Sequence, residues 1–73
     1  MPNTVDLIFP DHMQHDLFLQ YVQELLCARG VTIIAGATVI DTDGAAIGRL
    51  LLANEGDKSQ AIHILVRTQV KTY

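Results

Sequence analysis

Two histidines and an aspartate stand close together near the start of the chain, at His12, His15 and Asp16. Imidazole nitrogens and carboxylate oxygens are ordinary zinc ligands, and histidines three residues apart share one face of a helix. The same arrangement is more typical of the polar surface at a helix start. We therefore expect polar surface here and no metal site.

A second group of candidate ligands is the sequence Asp41-Thr42-Asp43-Gly44, which resembles the beginning of a calcium-binding loop. Such a loop needs a bidentate glutamate at its twelfth position, where this chain has Leu52. Aspartate and glycine are also the residues that build tight turns. The sequence therefore predicts a turn at these residues, without calcium.

Covalent or acid-base catalysis would need a nucleophile, a base and an orienting group within reach of one another. The only cysteine, Cys27, lies among leucines and is expected to be a buried structural thiol. The histidines cluster at one helix start or, like His63, stand alone, and no carboxylate pair falls on an apolar strand. We predict neither enzymatic activity nor a cofactor.

The size and charge of the chain narrow the remaining classes of function. Its 73 residues make one domain, residues 1–73, with a net charge of −3 and no two adjacent basic residues, which argues against nucleic-acid binding. No apolar run approaches the roughly 20 residues of a membrane span, and residues 1–6 lack the pattern of a signal peptide. A single cysteine makes the cytoplasm the default location. A core this small favours a homodimer.

The elements that must position any site follow from hydrophobic periodicity. Strands are predicted over residues 4–9, 31–40, 45–53 and 70–73, and helices over 12–29 and 58–68. The helices are expected to begin at Asp11 and Asp57, each with a glutamine three residues later. The expected apolar stripe of the first helix consists of Leu17, Phe18, Tyr21, Val22, Leu25 and Leu26.

This order of elements is β-α-β-β-α-β, the ferredoxin-like arrangement of the α+β class. Right-handed crossovers would place both helices on one face of a four-stranded antiparallel sheet. The other face is left bare, and its residues are too apolar to be exposed without a reason.

Within the central hairpin, the interior glycines Gly36 and Gly48 are the most unusual residues. Each indicates either a bulge or the close approach of a ligand or another backbone. Arg49 could bind a carboxylate in a bidentate way or extend from a sheet edge, and Thr32 could donate a hydrogen bond to a ligand or serve only as a strand residue.

These residues resemble one known family. The hairpin and second helix carry Thr32-Ile33-Ile34-Ala35-Gly36, Asp43-Gly44, Ile47-Gly48-Arg49-Leu50-Leu51-Leu52, Gly56 and Ala61-Ile62. Their order and spacing are similar to those of the NIL domain, the C-terminal regulatory domain of methionine-import ABC transporter ATP-binding subunits. The resemblance extends from Val5 to Lys71.

The resemblance implies a ferredoxin-like homodimer that binds a free amino acid near its interface and restrains an ABC transporter ATPase. Thr32 stands where a typical family member has Asn, and no nucleotide-binding motif is present. The ligand, and whether the domain is excised or stands alone, therefore remain open. The alternatives are a protein-interaction module and an ACT-like amino-acid sensor. The ligand-binding residues that the resemblance implies are Thr32, Ile33, Ile34, Ala35, Gly36, Gly48, Arg49 and Leu50.

Overall fold

The computed structural model describes residues 3–73 as three strands and two helices. Residues 1 and 2 lie outside the described residues. They belong to residues 1–6, where the sequence predicts no signal peptide. Neither helix in this part of the chain is long and apolar enough to cross a membrane. The α+β class is confirmed. The elements in chain order are β1 (Thr4–Ile8), α1 (His15–Ala28), β2 (Ile33–Ile40), β3 (Ala46–Leu52) and α2 (Glu55–Arg67).

The three strands form one antiparallel sheet in the order β1-β3-β2. The central strand β3 pairs Leu50 with Val5 on one side and with Gly36 on the other. Strands β2 and β3 are joined as the predicted hairpin. At its turn, Asp41 Oδ1 accepts hydrogen bonds from the N–H groups of Asp43 (2.9 Å) and Ala45 (3.0 Å). Gly44 adopts a φ of +83°, which explains why the turn ends in glycine.

The predicted strand over residues 70–73 is reduced to an isolated antiparallel bridge between Leu7 and Thr72. The Ile8 N–H donates to the Lys71 carbonyl (3.0 Å), and the Tyr73 N–H donates to the Asp6 carbonyl (2.9 Å). This segment runs beside β1 for too few residues to form a regular ladder.

Both helices begin at residues other than those predicted. Helix α1 starts at His15, after a connecting loop of residues 10–14, and Phe9 stacks on the His15 ring (centroid distance 3.9 Å). Helix α2 starts at Glu55, because the side chain of Asn54 accepts the N–H of Asp57 at 2.8 Å. The predicted helix starts at Asp11 and Asp57 are therefore wrong, whereas Gly30 ends α1 with a φ of +87°.

Both helices pack on the same face of the sheet. The stripe of α1 is rotated from the prediction, since Leu19 is buried while Leu17 and Tyr21 are about half exposed. Cys27 is exposed, so the expectation of a buried thiol is wrong. The core between helices and sheet consists of Val5, Leu7, Phe18, Leu19, Val22, Leu26, Val31, Leu50, Leu52, Ala61, Ile64 and Leu65.

Candidate functional site

A β-bulge near the start of β2 separates the residues that the sequence grouped as one site. Ile33 pairs with Leu52, yet Ala35 pairs with Leu51, so the register shifts between them. Ile33 consequently packs against the core on the helix side, and Ala35 faces the opposite side of the sheet. Ile34 is left 62% exposed at the bulge, and Thr32 is exposed before the strand begins.

The two hairpin glycines lie directly beneath α1. A methyl group placed on Gly48 would be 3.0 Å from Leu19 Cδ2 and 3.3 Å from Phe9 Cζ. One placed on Gly36 would be 2.8 Å from Gln23 Nε2. Leu50, between them on β3, is fully buried. The sequence indicated that something approaches these two glycines closely, and in the structure it is the protein's own helix α1.

Neither of the two described helices packs against the other side of the sheet, which we call the open face. Its central pair is Arg49 and Asp6, which lie opposite each other on β3 and β1. Its remaining members follow from the strand register and are mostly apolar. They are Thr4 and Ile8 on β1, Ile47 and Leu51 on β3, and Ala35, Ala37 and Val39 on β2.

Arg49 and Asp6 form a bidentate ion pair on this face. Arg49 Nε donates to Asp6 Oδ1 at 2.8 Å, and Arg49 Nη2 donates to Asp6 Oδ2 at 3.0 Å. The hydrogen bonds from Arg49 hold the pKa of Asp6 below its ordinary value, and Asp6 raises the pKa of Arg49 in return. Arg49 remains 46% exposed, and its Nη1 is not used by this pair.

A shallow apolar hollow of about 210 Å³ lies beside the ion pair. It is bounded at one end by Arg49 and floored mainly by aliphatic side chains. Three of the residues implied by the family resemblance meet here. The hollow is lined by Thr4, Ala35, Gly36, Ala37, Val39, Arg49 and Leu51.

Tyr73 also lies on the open face, because it pairs with Asp6 beside β1 and paired residues share a face. Its hydroxyl donates to Asp41 Oδ2 at 2.7 Å, so its side chain reaches from the β1 edge to the hairpin turn. This hydrogen bond lowers the pKa of Asp41 and raises that of Tyr73. Ile47, on the same face near this contact, is only 3% exposed.

The histidine group at the start of α1 forms no ligand cluster. His15 stacks on Phe9, as described above, and His12 lies exposed in the preceding loop. Within residues 3–73, no three histidine, cysteine or acidic side chains come close enough together to hold a metal ion.

Sequence reasoning missed Asp6, Asp41 and Tyr73 as partners on the open face. For Asp6 a signal was available, since alternation in strand β1 puts it on the side away from Val5 and Leu7. The sequence does not give the register of β1 against β3, which is the fact that makes Arg49 its partner.

Comparisons with protein-family models, with curated proteins and with solved structures find no match for this chain.

The ion pair makes a prediction about acid stability. The folded state holds the pKa of Asp6 below its unfolded value near 4, so the stabilisation is fully present above that value. It is lost as the pH falls from about 5 through the lowered pKa of the folded state. In urea denaturation at pH 7 we expect Asp6→Asn to have a lower free energy of unfolding than wild type. At pH 3 the difference between the two should become small.

Asp11→Asn is the matched control, because Asp11 is an exposed loop residue with no ion pair shown. It should not reproduce this pH-dependent gap. The argument is contradicted if the free energy of unfolding of Asp6→Asn is below that of wild type by the same amount at pH 3 and at pH 7.

Proposed function

We propose that this chain is a ferredoxin-like regulatory domain that binds a free amino acid on its open face. The element order and the placement of both helices on one face support the fold assignment. The contacts of residues 71–73 with β1 support it too, since a fourth strand would lie on that side of β1. The sequence resemblance to NIL domains points the same way and suggests an ABC transporter ATPase as the regulated partner, which implies a cytoplasmic location.

The observation that carries the proposal is the exposed Arg49–Asp6 pair beside an apolar hollow. A free amino acid carries a carboxylate and an ammonium group on the same carbon, which complement a guanidinium and a carboxylate held side by side. Arg49 Nη1 offers donors that the ion pair leaves unused, and Asp6 oxygens accept more than one hydrogen bond each. The side chain of the ligand would enter the hollow.

The chemistry of the hollow selects the class of amino acid. Ala35, Ala37 and Leu51 offer methyl groups and no hydrogen-bonding side chain, so an aliphatic or thioether side chain fits better than a polar one. At about 210 Å³ the hollow is smaller than the roughly 300–1,000 Å³ of pockets that enclose a ligand. A ligand would therefore be only partly covered by one copy of the chain, which agrees with a site near a dimer interface.

The role proposed is regulatory. The open face brings together an ion pair and aliphatic groups, which suit the binding of a small ligand. Binding would act by favouring one arrangement of the domain and its partner over another, which requires only a difference in affinity between the two arrangements.

A thermal-shift panel of the twenty amino acids tests the proposal. An apolar amino acid, methionine included, should raise the unfolding temperature, since a ligand present at a hundred times its dissociation constant stabilises the native state by about 2.7 kcal/mol. The amide derivative of the responding amino acid should bind more weakly, because it lacks the carboxylate that Arg49 would contact.

Arg49→Gln should abolish the ligand-dependent shift, measured relative to its own ligand-free unfolding temperature. Arg67→Gln is the matched control, because Arg67 is exposed in the last turn of α2 and lines none of the hollow. A flat response across the panel, or a full response in Arg49→Gln, would overturn the amino-acid proposal.

A second candidate is a protein-interaction module. The observation that favours it is the edge strand β2, which carries no charged residue and is largely exposed. A folded protein that self-associates but responds to no amino acid would support this candidate.

A further inference from the structure

A second cavity, of about 470 Å³, lies beside the end of β1 at the edge of the sheet opposite to β2. It is formed between the loop after β1 and residues 70–71, which follow α2, and we call it the loop cavity. None of the described residues lines both this cavity and the hollow on the open face. Its volume falls within the roughly 300–1,000 Å³ of pockets that enclose small ligands. The loop cavity is therefore large enough to be a separate binding site.

One wall of the loop cavity is aromatic. Phe9 and Phe18 both line it, and their rings pack edge to face with centroids 5.7 Å apart. Phe18 is buried in the core, and Phe9 also stacks on the His15 ring at 3.9 Å. Pro10 and Val70 add aliphatic surface. Because neighbouring side chains already hold both rings, the wall offers a ready surface on which another ring can pack.

The two segments that form the loop cavity are held in place by backbone hydrogen bonds. The Ile8 N–H donates to the Lys71 carbonyl (3.0 Å) at the point where β1 enters the loop. The Val70 N–H donates to the Leu65 carbonyl (2.9 Å), which ends α2 in the manner of a Schellman motif. Gln69 takes the left-handed conformation, with a φ of +63°, that this motif requires. The fold itself therefore positions Val70 and Lys71 at the cavity.

The rim of the loop cavity is polar. Lys71, His12 and Asp11 all line the cavity and are exposed. Within residues 3–73, none of the three side chains forms an ion pair or a hydrogen bond. A lysine ammonium group has three N–H donors and a histidine ring has at least one, so both suit an anionic oxygen. An ionised Asp11 can only accept hydrogen bonds, and it opposes the binding of a highly charged anion.

We propose that the loop cavity binds a small aromatic carboxylic acid. The ring would pack against Phe9 and Phe18, and the carboxylate would accept hydrogen bonds from Lys71, with His12 as a second donor. A carboxylate matches this rim better than a phosphate monoester, which carries more than one negative charge at pH 7, because Asp11 lies beside the donors.

The loop cavity and the proposed amino-acid site require different ligand chemistry. On the open face, Asp6 would bind the ammonium group of the ligand and Arg49 its carboxylate. Recognition in the loop cavity uses a ring and a carboxylate and needs no ammonium group. This inference therefore does not rest on the proposed function, and an acid that lacks an ammonium group tests it separately.

A titration with phenylacetate, followed by amide-resolved NMR of the isotopically labelled chain, tests the proposal. The amide signals of the cavity residues 8, 9, 11, 12, 18, 70 and 71 should shift in a saturable way. We expect millimolar affinity, since a ligand of about ten non-hydrogen atoms gains little binding energy in an open cavity. Phenylacetamide lacks the negative charge and acetate lacks the ring, so each should bind several times more weakly than phenylacetate.

Hydrogen exchange gives a second readout of the same binding. A ligand in the loop cavity would contact both the loop after β1 and residues 70–71, so it should oppose their separation. The Ile8 N–H is bonded to the Lys71 carbonyl, and its exchange requires this contact to open. Phenylacetate should therefore slow exchange at Ile8. The Ala53 N–H, which donates to the Thr32 carbonyl beyond the other end of β3, should exchange at an unchanged rate.

The role of Lys71 can be tested by substitution. Lys71→Gln should weaken phenylacetate binding by about two- to fivefold, the effect of losing one exposed charge pair. Lys71→Arg keeps the charge and should bind nearly as well as wild type. Arg29→Gln is the matched control, because Arg29 is an exposed cation at the opposite end of α1 and does not line the loop cavity. The NMR spectrum of each variant shows whether it is folded.

Four results would overturn the proposal. They are the absence of saturable shifts with phenylacetate, shifts centred on Arg49 and the open face, equal affinity in wild type and Lys71→Gln, and tighter binding of inorganic phosphate than of phenylacetate. Because phenylacetate has no ammonium group, its failure to bind leaves the amino-acid panel unaffected. Failure of this inference and failure of the proposed function can therefore be told apart.

Discussion

The Leu50→Ala variant is expected to lose about 2–5 kcal/mol of unfolding free energy, the range observed when a large aliphatic side chain is removed from a core. Leu50 is fully buried at the centre of β3, between Val5 and Gly36 in the sheet and beneath α1. A core of this size rarely supplies more than about 3–5 kcal/mol. We therefore expect the variant to be largely unfolded at 25 °C, as measured by circular dichroism and urea titration.

Leu51→Ala is the matched control, because Leu51 is the next residue on the same strand but lies half-buried on the open face. The loss of unfolding free energy in Leu51→Ala should be clearly smaller than in Leu50→Ala. Leu50→Val, which removes one methylene group and costs about 1 kcal/mol, keeps a folded protein in which the same trend can be measured. The prediction is wrong if Leu50→Ala unfolds at the same urea concentration as wild type. If such a variant also lost its amino-acid response, Leu50 would contact the ligand.

The Gly48→Ala variant is expected to lose about 1–3 kcal/mol, the cost of adding a methyl group to a well-packed interior. The new methyl group would stand 3.0 Å from Leu19 Cδ2 and 3.3 Å from Phe9 Cζ, closer than ordinary van der Waals contact. Leu19 is buried, so its side chain has little room in which to move away. The midpoint of urea denaturation measures the effect.

Gly36→Ala is the comparison that separates packing from backbone effects. Both glycines lie within strands, and neither has a positive φ. At Gly36 the nearest obstacle is the terminal amide of Gln23, a half-buried side chain that can swing away. The contact that remains is with the buried Leu50 Cδ2 at 3.1 Å, slightly longer than the 3.0 Å contact with Leu19 at Gly48. We therefore expect a somewhat smaller loss at Gly36 than at Gly48. Equal losses would indicate that glycine is needed for a reason other than the contact with α1.

Much of the local structure was predictable because local chemistry decides it. The turn at Asp41 and Gly44 needs only an acceptor side chain and a residue that tolerates positive φ. The end of α1 at Gly30 has the same basis. The start of α2 was misassigned because Asn54 and Asp57 are both good capping residues, and only the folded chain shows which one accepts the hydrogen bond.

The candidate site was less predictable because strand pairing and helix placement decide it. The sequence correctly singled out Gly48 and Arg49 as unusual, yet adjacent strand residues face opposite sides of a sheet. Gly48 therefore meets α1, while Arg49 meets Asp6 across the open face. The bulge at Ile33–Ala35 changes which residues share a face, and simple alternation cannot reveal it.

The sequence by itself determined the α+β class, the hairpin and the absence of charge along β2, since these depend on residue type and spacing within short segments. Tertiary structure decided the register in which β1 pairs with β3, that α1 covers both hairpin glycines, and that residues 71–73 protect one sheet edge. The physical reason is that contacts between distant segments depend on how the elements pack together. The ion pair of Arg49 with Asp6 joins residues 43 positions apart, and no local pattern encodes it.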